Sequence, residues 1–190
     1  MKKTLFAEAI AVTALSQQAF GADYIIDEKG AHASINFKIQ HLGYSWLTGR
    51  FDKFSGTFSY DKNNPQAASI KVDIDPASLN SNHAERDKHL KGDDFLDVSK
   101  FKTASFVSTS VTDKGNNELT ITGNLTLHGV TKEINIDALK IGEGKDPWGG
   151  YRAGFSGTTR IALKDFAIMT NLGPASTHVD LELHVEGIKK

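Results

Sequence analysis

The chain has 190 residues, 39% of them hydrophobic, which is enough for one domain with a sizeable core. Its 22 basic and 23 acidic residues give a formal net charge of -1, and the basic stripe typical of nucleic-acid-binding proteins is missing. Because the chain has no cysteine, disulfides, thiol catalysis and cysteine-based zinc sites are excluded. Stability must therefore come from apolar burial and backbone pairing.

Residues 1–21 are predicted to be a signal peptide. Lys2 and Lys3 precede a mostly apolar stretch, residues 5–15, and the small residues around Phe20 suit cleavage before Ala22. A surface amphipathic helix is the alternative, because Glu8 interrupts the apolar stretch. No other apolar run approaches the roughly 18 residues that a membrane span needs. We therefore expect residues 22–190 to form an exported domain without a membrane span.

From residue 35 onward, apolar residues recur at every second position, which is typical of half-buried antiparallel strands. The apolar positions are Ile35, Phe37 and Ile39; Phe54, Phe58 and Tyr60; Ile70, Val72 and Ile74; Ile121, Leu125 and Leu127; Ile134 and Ile136; Val179, Leu181, Leu183 and Val185. Turn residues at 63–65, 114–117 and 128–129 separate the runs. About eight strands with short links predict an all-β fold, an antiparallel eight-stranded barrel.

One helix interrupts the strands at residues 83–90. Asn82 is a suitable N-cap, Glu85 can reach back to the cap, and Gly92 ends the helix. We expect this short helix to flank the barrel, with Arg86 and Asp87 tying it to the rim.

The same segment is rich in ionisable side chains, which raises the question of a metal or catalytic site. His83 and Asp87 share a helical face, but His89 lies about 240° around the helix from His83. A two-histidine zinc helix needs its histidines four residues apart, so the spacing does not favour a metal. We predict no metal, no cofactor and no catalytic residue, and we interpret the cluster as structural.

Three glycines lie in register with inward-facing apolar residues. Gly56 lies between Phe54 and Phe58, and Gly123 and Gly157 occupy similar places. A mid-strand glycine either makes room for a ligand or lets a coiled strand bend, and the sequence leaves both open. The predicted lumen residues are Phe37, Ile39, Phe54, Gly56, Phe58, Ile121, Gly123, Leu125, Phe155 and Gly157.

Such a lumen suits a long apolar chain better than a sugar or nucleotide. Ligand sites of this kind place a few polar groups on a mostly apolar wall. The candidates for a head-group contact are His41, Tyr44, Arg86 and Arg152, which lie beyond the predicted strand ends.

Four motifs resemble the YceI-like family of polyisoprenoid-binding proteins, and they occur in the family's order. They are HLGYSWLTGRFDKFSGTF, NHAERDKHLKGDDFLDVSKF, GNLTLHGVTKE and DPWGGYRAGF. With LKDF and NLGPA, the resemblance covers essentially all of residues 22–190, and it is strongest to periplasmic members from enteric bacteria. It implies a lipocalin-like barrel that holds an isoprenoid lipid, such as a quinone or polyprenyl phosphate. It also implies a periplasmic location, a homodimer and no catalysis.

Two other functions remain open from the residues. A hydrolase or isomerase acting on a lipid would use His83 and Asp87. A filled, structural barrel would act through a protein partner, and Trp46 and Trp148, in predicted loops, are candidates for that contact. The same tryptophans would equally suit the mouth of a barrel.

Overall fold

In the computed structural model, residues 21–190 are described, and the predicted signal peptide lies outside them apart from Gly21. The elements are β1 (Ala22–Ile26), β2 (Ser34–His41), β3 (Ser45–Phe51), β4 (Phe54–Tyr60), β5 (Ser69–Ile74), β6 (Leu79–Asn80), α1 (Ala84–Lys91), β7 (Ala104–Gly115), β8 (Glu118–Leu127), β9 (Val130–Lys145), β10 (Tyr151–Ala162) and β11 (His178–Lys189). Short 3-10 turns link several of them. The alternating apolar runs lie on strands, as predicted.

Eight strands close into an antiparallel barrel, which confirms the predicted fold class. The ring runs β1, β4, β5, β7, β8, β9, β10 and β11, and β11 pairs back onto β1. The shorter β2, β3 and β6 extend this wall, since β2 pairs with β11 beyond the segment that β1 uses. A closed ring leaves few free backbone groups along its strands.

The two ends of the barrel differ, and each is named here by its residues. The helix end is where β2 finishes at His41 and β7 begins at Ala104; α1 contacts β6 there. The far end is where β9 finishes at Lys145 and β10 begins at Tyr151. β6 and β7 do not pair with each other, and residues 81–103, which include α1, connect them.

Two predicted turns have the backbone that tight hairpins require. Asn116 and Asn117 both have positive φ between β7 and β8, and His128 and Gly129 do so between β8 and β9. Two consecutive residues in the left-handed region match the right-handed twist of the strands they join. Asparagine and glycine are the residues that adopt this region most readily.

The helix begins one residue later than expected, and its N-cap prediction was wrong. The cap is His83, whose Nδ1 accepts a hydrogen bond from the Arg86 backbone N–H at 3.2 Å. Asn82 instead lies before the cap with φ +60°, a conformation that asparagine tolerates. Gly92 ends the helix, as predicted.

The buried side chains form two groups inside the wall. One contains Tyr24 and Phe58, with ring centroids 4.8 Å apart, and lies toward the far end. The other is built around Phe106 and Phe166. Within residues 21–190, every helix is too short or too polar to cross a membrane.

Candidate ligand-binding lumen

Two neighbouring apolar cavities occupy the barrel among the described residues. The cavity toward the far end measures about 140 Å³, and the one toward the helix end about 320 Å³. They share the lining residues Ile35, Ile74, Leu125 and Leu181. Because these four side chains contact both spaces, the two cavities adjoin each other inside the barrel, and together they are called the lumen.

Most of the predicted lumen residues line these cavities. Phe54, Phe58, Ile121, Phe155 and Gly157 line the smaller cavity. Phe37 and Ile39 line the larger one, and Leu125 lines both. The period-two pattern therefore located the wall of the lumen.

The other two glycines of the prediction lie behind the lining. A Cβ on Gly123 would meet the Phe106 ring at 2.5 Å, and one on Gly56 would meet the Ile26 side chain at 2.8 Å and the Lys71 carbonyl oxygen at 2.6 Å. Neighbouring protein atoms, rather than open space, thus occupy the room that these glycines leave. Their absent side chains allow close packing of the wall.

The four head-group candidates separate into two places. His41 and Arg86 line the larger cavity at the helix end. Tyr44 is in the turn between β2 and β3, where it is exposed, and Arg152 is at the far end. Since exposed His41, Leu42 and His89 all contribute to its lining, the larger cavity reaches the surface at the helix end.

Ser81 anchors α1 beside this opening, and sequence reasoning missed it. Its Oγ donates to Asp87 Oδ1 at 2.5 Å and accepts from Arg86 Nε at 2.8 Å, while its carbonyl oxygen accepts from Arg86 Nη2. Although burial alone would raise the pKa of Asp87, the hydrogen bonds from the Ser81 hydroxyl and N–H hold it below its ordinary value. Arg86 and Asp87 therefore tie α1 to Ser81, which follows β6 at this end of the barrel.

An ionic network stabilises the far end. Arg152 Nη1 donates to Asp27 Oδ2 at 2.7 Å and to Glu186 Oε1 at 2.5 Å, and its Nε donates to Asp146 Oδ2 at 3.0 Å. Hydrogen bonds from Arg152, His32 and the Gly30 N–H lower the pKa of the buried Asp27 to about 2. Arg152 thus joins the end of β1 to β10, β11 and the β9–β10 turn.

Asp27, His32 and Glu186 also form the one group of three potential metal ligands found among the described residues, their ligand atoms within 4.8 Å of one another. The Arg152 guanidinium donates to both carboxylates of this group. A metal ion at that point would lie beside the positive charge of Arg152, so the two carboxylates suit the arginine and not a metal.

A second polar group lies below the smaller cavity. Lys140 Nζ is 2.9 Å from Glu143 Oε2 and 4.8 Å from the centre of the Tyr60 ring, and Tyr60 lines the cavity. Burial alone would lower the pKa of Lys140, but its hydrogen bond to Glu143 raises it. A bulge opposite Gly154 turns the strand so that both side chains face inward.

The residues of the hydrolase alternative already have structural partners. His83 Nδ1 accepts the hydrogen bond that caps α1, and Asp87 Oδ1 accepts two from Ser81. Their side chains therefore serve the helix and its anchor in this structure.

Comparisons with known proteins agree with this geometry. The family described as the YceI-like domain matches residues 24–187. The chain belongs to the YceI-like family. A UPF0312 protein of Shewanella putrefaciens is 59% identical over 191 residues, with full coverage of both chains.

Solved structures of other proteins share the barrel. The YceI protein of Campylobacter jejuni is 32% identical, with a TM-score of 0.72 and coverage of 80% of this chain and 91% of that one. A polyisoprenoid-binding domain from Saccharophagus degradans is 16% identical, with a TM-score of 0.64 and coverage of 88% and 98%. That second likeness establishes the fold alone.

Proposed function

We propose that this YceI-like protein is a non-enzymatic carrier that holds the isoprenoid chain of a lipid in its lumen. The ligand is a quinone-type lipid or a polyprenyl phosphate, and the protein transports, stores or sequesters it. The carrier works in the periplasm after removal of residues 1–21. The observation that carries the proposal is the elongated apolar lumen, open at the helix end.

The size and lining of the lumen support a flexible apolar ligand. An engineered apolar cavity of about 150 Å³ is enough to bind benzene, and the larger cavity alone measures about 320 Å³. Its wall is built mainly from leucine, isoleucine and phenylalanine. Each methylene that leaves water for such a wall contributes about 0.8 kcal/mol, so a long chain binds without a strong head-group contact.

The positions of the polar groups support one orientation of the lipid. His41 and Arg86 lie at the open end, where they can contact an anionic or carbonyl-bearing head group. Below the smaller cavity, Lys140 is paired with Glu143 and shielded by Tyr60, so the wall met by the end of the tail is an aromatic ring. The tail therefore enters first and the head group stays at the helix end.

A pair of tryptophan substitutions tests the lumen. Leu181→Trp places an indole where both cavities meet, whereas Glu182→Trp places the same ring on the exposed face of the same strand. We expect Leu181→Trp to weaken binding of an isoprenoid quinone at least roughly tenfold, as the loss of two or more buried methylenes would. Glu182→Trp should bind like the wild type.

Binding is followed by quinone titration, and folding by circular dichroism. Native mass spectrometry and organic extraction of the protein from its source then identify the cargo. If Leu181→Trp folds and still binds with unchanged affinity, the ligand lies outside the lumen and the carrier proposal is wrong. Turnover of the bound lipid by the purified protein would instead support the hydrolase.

A further inference from the structure

Large apolar side chains are exposed around the opening of the lumen. They are Leu42, Tyr44, Trp46 and Met169, here called the helix-end rim. Tyr44 keeps 87% and Met169 74% of its surface in contact with solvent. Clustered exposed apolar residues on a soluble domain usually mark a contact with a partner or a membrane.

Contacts between the loops hold these side chains at one end of the barrel. A Cβ on Gly43 would lie 3.7 Å from the Ala175 Cβ, and one on Gly173 would lie 4.0 Å from Leu42. Ser176 Oγ also donates to the Gln40 carbonyl oxygen at 2.5 Å. The β2–β3 turn is therefore packed against residues 173–176.

The remaining rim residues flank the lining of the larger cavity. Ile168 and Leu172 line that cavity on either side of Met169, and the Thr170 hydroxyl donates to the Asp94 carbonyl oxygen. Trp46 pairs with Gln40, a lining residue, and its own side chain lies on the outer surface. The rim is thus continuous with the wall of the lumen.

We propose that the helix-end rim seats the protein on the surface of a lipid bilayer, so that the lipid passes between membrane and lumen without crossing water. This inference rests on the proposed carrier function and adds its partner surface. The rim residues belong to the types that occupy membrane interfaces: tyrosine and tryptophan at the head-group level, and leucine and methionine below it.

The position of the rim around the opening favours a bilayer over a protein partner. The rim surrounds an apolar opening, so whatever covers the rim also meets the emerging chain, and only an apolar phase accepts that chain without cost. Lys38 Nζ lies 5.1 Å from the centre of the Trp46 ring, but the Arg152 guanidinium lies 5.3 Å from the Trp148 ring in the same way, so it is the opening that distinguishes the two ends.

The charge near the opening indicates what kind of bilayer is required. Three basic and five acidic side chains lie along α1 and residues 92–97, so this side of the opening carries a small negative excess that does not attract anionic lipid. Apolar insertion rather than attraction to anionic lipid therefore provides the contact. Binding to phosphatidylcholine vesicles should change little when the salt concentration is raised.

The two tryptophans of the chain provide an internal comparison, because Trp46 is at the rim and Trp148 is in the turn at the far end. Trp148→Phe leaves Trp46 as the only indole, and Trp46→Phe leaves Trp148. Phosphatidylcholine vesicles with brominated acyl chains quench indoles that reach the bilayer. We expect Trp46 emission to fall roughly twofold and Trp148 emission to stay unchanged, since only interfacial rings reach the bromines.

A matched pair of double variants tests the contact by vesicle flotation. Trp46→Ser with Met169→Ser removes two rim side chains that lie outside the cavity linings. Trp148→Ser with Ile141→Ser removes two far-end side chains of similar exposure, 76% and 66%. We expect the rim pair to reduce flotation roughly tenfold or more and the far-end pair to leave it unchanged. All proteins carry the same N-terminus, checked by mass, because residues 5–15 are themselves apolar.

Farnesol, which is soluble enough to bind without vesicles, separates this proposal from the carrier function. A rim pair that binds farnesol normally but does not float supports the bilayer contact. Equal quenching of both tryptophans, equal flotation of both pairs, or no flotation of the wild type overturns it. A rim pair that converts a dimer to a monomer also overturns it, because the rim is then a subunit interface. Loss of farnesol binding with intact Trp46 quenching overturns the carrier function alone.

Discussion

The far end and the helix end of the barrel are held in different ways. At the far end, stacked Tyr24 and Phe58 and the Arg152 network join strands that are distant in sequence. At the helix end, every side chain of α1 keeps some contact with solvent, and hydrogen bonds to Ser81 anchor the helix. Local stability in proteins follows burial and contact density, so the helix end should open while the far end stays folded.

Two equally buried phenylalanines sharpen this comparison most. Phe58 and Phe95 are each 5% exposed, but Phe58 contacts Tyr24 and Phe155 in the core, whereas Phe95 lines the larger cavity beside His89. Phe58→Ala should lower the free energy of unfolding by about 3–5 kcal/mol, the range for a buried phenylalanine. Phe95→Ala should cost at least about 1 kcal/mol less, because its segment can open without the barrel.

Urea denaturation followed by circular dichroism measures both free energies. Equal losses for the two variants would show that the helix end unfolds together with the core, and the contrast between the ends would then be wrong.

Features that depend on residues within one strand could be predicted from the sequence, whereas contacts between residues far apart in the sequence could not. The strands and the lumen wall were predictable because alternation along one strand places Phe54 and Phe58 on one face. The Arg152 network was not, since Arg152 and Asp27 are 125 residues apart and only the closed ring brings them together. The head-group candidate Arg152 is therefore found bonded to Asp27, Glu186 and Asp146 at the far end, which its position in the sequence did not reveal.

The N-cap of α1 was predicted wrongly because two neighbouring residues could fill that position. Asn82 and His83 both offer a side-chain acceptor for the helix, and only the positive φ of Asn82 decides between them. The bulge at Ile141 was not predicted. One extra residue there breaks the period-two alternation along β9, so Lys140 and Glu143, three positions apart, both face inward. The Phe106 ring fills the space beside Gly123. This contact joins two strands, so the alternation of residues along one strand does not reveal it.

Acid should weaken the far end through Asp27. Its folded pKa of about 2 lies below the unfolded value near 4, so ionised Asp27 stabilises the protein above pH 4 and this contribution is lost as the pH falls toward 2. Because Arg152 and Glu186 keep some contact with water, we expect roughly 1–2 kcal/mol.

The control for this titration is Asp27→Asn, which cannot ionise. Urea midpoints of both proteins, measured from pH 6 to pH 2, should differ most at pH 6 and draw together progressively as the pH falls from 4 toward 2. A stability difference that stays constant over this range would show that the network does not depend on the charge of Asp27.

At the helix end, Ser81→Ala should loosen α1. The substitution removes the hydroxyl between Arg86 and Asp87 but keeps the backbone N–H and carbonyl contacts, so about 1 kcal/mol should be lost. Amide hydrogen exchange of residues 84–91 should accelerate roughly fivefold, and release of bound isoprenoid should be faster. Thr122→Val removes a side-chain hydrogen bond to Asn135 from the outer wall and provides the control. If lipid release is unchanged while α1 exchanges faster, the helix does not control the opening.

The N-cap of α1 allows the opposite change at the same place. His83 caps the helix through a ring nitrogen at 3.2 Å, and aspartate is a stronger cap that also complements the positive end of the helix dipole. His83→Asp should therefore stabilise α1 by about 0.5 kcal/mol and slow both amide exchange and lipid release, each by roughly twofold. His83→Ala should shift both rates the other way. If α1 limits lipid release, His83→Asp should slow release and His83→Ala should accelerate it. If α1 does not limit release, the two substitutions should change the amide exchange of α1 alone.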